Sequence, residues 1–229
     1  MSKLELKIPI TPDATVASAM PITLDERSLA EAASSVALID KDVARILAIH
    51  GTPPLWARKP GFITLLRIIL EQQVSLSSAD AMYRRLVVNI NPLTPPTVLA
   101  AGALFLRSFG ITRQKATYFI NVAEAIQNRD LDLEELGKLS DGSAIAKLTF
   151  VKGIGPWTAK VYLLMALCRP DIWPVGDIAL ATAFRNLKGL RERPTQPELS
   201  EIANAWRPYR ATAARMLWHY YLSEKLNRE

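Results

Sequence analysis

The chain has 229 residues, 49% of them hydrophobic and 22% charged, which suits one sizeable core or two intimately packed lobes and excludes a disordered chain. A net charge of +6 favours a polyanionic partner, though only weakly when taken alone. The single cysteine, Cys168, lies among Leu163, Leu164, Met165 and Leu167 and reads as a buried core thiol; one cysteine excludes an internal disulfide, a thiolate zinc site and an iron–sulfur cluster.

Residues 1–24 read as an extended arm, with Leu4, Leu6, Ile8 and Ile10 alternating with Glu5, Lys7 and Pro9. Pro9, Pro12 and Pro21 argue against a helix there. No apolar run reaches membrane-spanning length, and Glu5 and Lys7 interrupt any apolar signal core, so a soluble intracellular protein without a membrane partner is expected.

From Asp25 to residue 229 the pattern is helical. Leu29, Ala32, Ala33 and Val36 mark one apolar face, and Val43, Ile46 and Leu47 mark the next. Gly51-Thr52-Pro53-Pro54 breaks the chain, and a deeply buried helix is predicted over 62–74, ending on Gln72-Gln73. Ser77 and Ser78 are candidate caps for a helix over 79–89. Two further helices, over 97–107 and 114–128, flank Phe109-Gly110-Ile111-Thr112, with Arg113 and Lys115 where a backbone phosphate could lie. The last helices are expected over 177–187 and 198–206 and after Pro208, where Ala214, Leu217, Trp218, Tyr221 and Leu222 recur at helical spacing. The fold class is all-α: two helical lobes with a cleft between them, the C-terminal part packing with the N-terminal part. His50 and His219, the only histidines, are far apart in sequence, lack metal spacing and read as structural.

The stretch from Leu148 to Leu180 carries the chemistry. Gly153-Ile154-Gly155-Pro156 reads as a tight turn between two helices, with Gly153 and Gly155 free to take positive φ and Pro156 suited to a first helical turn. Such a turn leaves backbone N–H groups at a helix start, a good seat for a phosphate oxygen. About twenty residues on, a proline-rich link delivers Asp177 to the start of another helix. On residue type alone Asp177 is an N-cap, and capping N–H bonds favour the charged carboxylate.

VKGIGPWTAK followed by WPVGDIAL resembles the helix–hairpin–helix and Gly/Pro…Asp signature of the base-excision DNA glycosylase superfamily. The likeness is closest to the 3-methyladenine DNA glycosylase II branch; residues 62–86 and 106–126 share it, and it covers roughly residues 55–225. It implies a glycosylase that flips an alkylated purine, of the 3-methyladenine or 7-methylguanine type, out of damaged double-stranded DNA and hydrolyses its N-glycosidic bond. The family's catalytic aspartate falls on Asp177, its base-pocket aromatics on Trp157 and Trp218, and its wedge on Gln73. Lys152, Gly153, Gly155 and Thr158 fall at the phosphate-binding hairpin, with Lys160 and Arg185 as further basic candidates.

Branches that form a Schiff base carry lysine where Trp157 stands, so no strand cleavage is expected. No cofactor and no metal are implied. The expected protein is a monomer in the cytoplasm, at the nucleoid in a bacterium or in the nucleus of a eukaryote. A glycosylase for a deaminated or oxidised base and a non-catalytic DNA-binding module are the alternatives.

Overall fold

The computed structural model describes residues 21–226. The N-terminal arm therefore lies, up to residue 20, outside the described residues. The rest is helical: α1 (Glu26–Ile39), α2 (Lys41–His50), α3 (Phe62–Glu71), α4 (Leu76–Asn89), α5 (Pro95–Arg107), α6 (Arg113–Gln127), α7 (Asp141–Phe150), α8 (Pro156–Met165), α9 (Ile178–Lys188), α10 (Gln196–Ala203) and α11 (Arg210–Leu226). Among the described residues there is no strand.

Local chemistry sets most boundaries. Asp25 caps α1 reciprocally with Ser28, and Thr195 does the same for α10 with Glu198. Ser75, rather than Ser77 or Ser78, caps α4 through the Ser78 N–H, so that helix begins earlier than its apolar pattern suggests. The helix predicted over 62–74 stops at Glu71, because Gln72 leaves the helix at ψ 124 and Gln73 then turns to φ +55. α3 is the spine of the core: Leu65, Leu66, Ile68, Ile69 and Leu70 are fully buried, each side chain stabilising the fold by roughly 1.5–3 kcal/mol.

Two groups of helices share that core. α3 packs on α4, α6 and α8, α5 on α6, and α7 on α8. α11 packs on α1, α2 and α9, bringing the two ends of the described chain together. Buried Arg215 of α11 ties the groups. Its guanidinium donates to the carbonyls of Leu164 in α8 (2.6 Å), Leu55 (2.9 Å) and Ala211 (3.3 Å). Burial pushes its pKa down to about 10, and carbonyl oxygens rather than a counter-charge hold it.

Candidate active site at two helix starts

The hairpin joins α7 to α8 through Val151-Lys152-Gly153-Ile154-Gly155. Gly153 sits at φ +111, and a Cβ there would lie 2.4 Å from the Tyr118 ring, so both conformation and space demand glycine. Gly155 differs from expectation. It is the N-cap of α8 at φ −80, ψ 173, ordinary extended backbone, and a Cβ would meet nothing within 4 Å. With no side chain at the cap and proline next, the early N–H groups of α8 have no carbonyl one turn back and no capping oxygen from residue 155.

The turn is braced from behind. The Gln72 amide donates to the Gly153 carbonyl (3.2 Å) and the Thr158 hydroxyl (2.8 Å), and the Asn121 amide donates to the Lys152 carbonyl (3.0 Å). This splits the Gln72-Gln73 pair. Gln72 locks the end of α3 to the hairpin, a role its sequence setting did not announce; Gln73 is exposed, in the left-handed region, next to that lock.

Two basic and polar candidates are corrected. The Thr158 side chain is buried and its hydroxyl is engaged by Gln72, so only its backbone N–H remains as a phosphate donor. Lys115 is buried too; its ammonium donates to the Leu70 carbonyl at 2.6 Å, and burial lowers its pKa. It closes the C-terminal end of α3 and cannot reach a phosphate. Lys152 and Arg113 are exposed, and Arg185 is held by Asn186.

The second helix start holds Asp177. Gly176, at φ +88 with the Gln196 amide 3.2 Å from where a Cβ would sit, delivers it to the N-cap of α9. Three donors converge on the carboxylate. Oδ1 accepts from the Leu180 N–H (2.9 Å) and the Trp218 indole (3.3 Å), and Oδ2 accepts from the Trp157 indole (3.0 Å). Residues twenty and forty-one positions apart from Asp177 thus share one carboxylate. They come from α8, α9 and α11, so the site spans both helical groups. The N-cap and a second role coexist: with one indole on Oδ2, that oxygen retains acceptor capacity.

The two indoles are not equivalent. Trp157 is half-buried, whereas Trp218 is only 8% exposed and most of its ring is core. A hollow of about 230 Å³ opens beside Gly176 and Asp177, flanked by Trp173, Arg193 and Gln196; neither indole lines it, and no lysine does. Lys160 lines a separate cleft with Asp171 and Arg210, where burial and then the Arg210 charge push its pKa down.

Three rings, those of His50, His219 and Trp56, gained neighbours that sequence spacing hid, and Cys168 departs from its expected burial. His50 and His219 lie with ring centroids 5.9 Å apart, and burial followed by the His50 charge lowers the His219 pKa. Trp56 packs its ring against both Trp218 and His219. Cys168 is half-buried at φ +49 instead of fully buried, its thiol pKa raised by burial.

Residues 66–208 match the family model described as HhH-GPD superfamily base excision DNA repair protein, a span that includes the hairpin and Asp177. A Schizosaccharomyces pombe 3-methyladenine DNA glycosylase, solved in complex with abasic DNA, superposes with a TM-score of 0.79 at 25% identity, covering 87% of this chain and 98% of that one. A DNA-3-methyladenine glycosidase from Bacillus halodurans gives 0.71 at 29% identity, over 85% of this chain and 91% of its own. A longer Bacillus subtilis relative is 28% identical over 77% of this chain, which spans 64% of that relative's length.

Proposed function

This chain belongs to the HhH-GPD superfamily of base excision DNA repair proteins, and from that premise we propose that it is a monofunctional DNA glycosylase releasing alkylated purines from duplex DNA. The observation that carries the reading is the convergence of two indoles on the Asp177 carboxylate at a helix start. The hairpin N–H groups of α8 take a backbone phosphate, and Gln73 enters the stack as the target nucleotide turns out. As the base departs, the sugar gains oxocarbenium character, and the fixed charge of Asp177 stabilises it; the free acceptor position of Oδ2 orients the attacking water. A 3-methyladenine or 7-methylguanine nucleotide already carries positive charge, so the base leaves without a general acid. Indole beside the carboxylate suits such a cation.

Lyase chemistry requires an amine at the sugar. The position after Pro156 is an indole, which cannot form the Schiff base that such chemistry needs. The product is therefore an intact abasic strand.

The deciding experiment is single-turnover release of 7-methylguanine and 3-methyladenine from methylated duplex. Asp177→Asn keeps shape and loses charge, and base release should fall by about 10²–10³-fold, while abasic-DNA affinity changes little. Release within a few-fold of the parent removes Asp177 from the mechanism. Borohydride should trap no covalent protein–DNA adduct; a trapped adduct overturns the monofunctional assignment.

A further inference from the structure

We infer that Trp56 is a third aromatic wall of the base site and sets its preference for charged over neutral purines. This rests on the glycosylase reading above and adds a residue to it. Trp218 bonds Asp177 through its N–H but is nearly all buried, so it has little ring surface left to offer a base. Trp56 packs its ring against it. Its centroid lies 6.5 Å from that of Trp218 with the planes inclined by 65°, and 6.3 Å from His219 at 89°. Rings that meet at such angles do not stack face to face, and Trp56 is half-buried, more open than Trp218.

Trp56 is also held there against backbone preference. Its φ is +49, a left-handed conformation unusual for a bulky side chain and sustained only where neighbours impose it. Both flanks supply the constraint. The Leu55 carbonyl accepts from buried Arg215 of α11, and the Arg58 N–H donates to the Met165 carbonyl at the end of α8. The Arg58 guanidinium is pinned further by Glu71 at 2.8 Å. The segment is thus clamped to α11 and to the C-terminal end of α8, and its indole keeps a fixed place against Trp218. An indole held in place against Trp218, itself bonded to Asp177, attracts a cationic purine through its face and offers less to a neutral one.

The test compares Trp56→Ala and Trp56→Phe in single-turnover release of 7-methylguanine and of hypoxanthine, with abasic-DNA affinity and thermal melting measured alongside. Trp56→Ala should slow 7-methylguanine release about tenfold, slow hypoxanthine release far less, and leave abasic-DNA affinity within about twofold, because no base then occupies the site. Trp56→Phe should recover most of the loss. Equal losses for both lesions accompanied by a lower melting temperature, or no loss for either, overturn the inference while the glycosylase reading stands. A parent protein that releases neither base overturns both.

Discussion

The two helical hairpins of this chain are built alike and finish differently. In each, a glycine at positive φ is followed by isoleucine and then the cap of the next helix: Gly110-Ile111-Thr112 before α6, Gly153-Ile154-Gly155 before α8. Thr112 folds its hydroxyl onto the Lys115 N–H at 3.2 Å, so the start of α6 is satisfied from within. Gly155 has no side chain to do this, and α8 begins without a side-chain cap. The lysine that follows the first cap is spent inside as well, on the Leu70 carbonyl. A single change of cap, threonine to glycine, leaves the start of α8 without the side-chain bond that closes the start of α6.

The largest expected effect tests the turn glycines themselves. Gly153→Ala sets a Cβ 2.4 Å from the Tyr118 ring at a φ of +111, and overpacking plus backbone strain should cost about 3 kcal/mol. Gly110→Ala approaches the flexible end of Arg85 at 3.3 Å and meets Met82 at an ordinary 3.9 Å, leaving the conformational cost of about 1–2 kcal/mol. Denaturant unfolding of both variants measures the difference; equal costs would mean that the ring contact at Gly153 is relieved without strain.

The sharper test exchanges the caps. Gly155 already has N-cap geometry and open space, so Gly155→Asp should cap α8 and raise stability by a few tenths of a kcal/mol. It should also weaken binding to abasic duplex about tenfold or more, because the added carboxylate takes the phosphate's place. Gly155→Ser, which caps without charge, should fall between. Unaltered affinity in both would remove the α8 start from the DNA interface. In the reciprocal change, Thr112→Ala should lose about 1 kcal/mol of stability with DNA affinity kept within about twofold, and a large affinity loss there would erase the distinction between the hairpins.

Much of this was legible beforehand because it depends on short range. The α7–α8 turn, the cap at Asp177 and the deep burial of α3 follow from glycine, proline and apolar spacing within a few residues. The errors arose where two similar local patterns meet different surroundings. Lys115 and Thr158 have the composition of surface phosphate contacts, yet each is drawn inward by a partner 45 or 86 residues away. Gly155 looked like a conformational glycine because Gly153, two residues before it, is one.

The sequence by itself determined the all-helical class, the order of most helices and the pairing of a glycine turn with one placed acid, since each rests on periodicity, capping and chain stiffness. Only the tertiary structure decided which donors reach that acid. Packing α8, α9 and α11 together turns Trp157 and Trp218 toward Asp177, brings His50 against His219 and sets Trp56 beside Trp218. Such contacts join residues up to 169 positions apart, and no local rule carries direction across that distance: a side chain's bearing depends on how its helix is rotated in the core, which the sum of many buried contacts fixes.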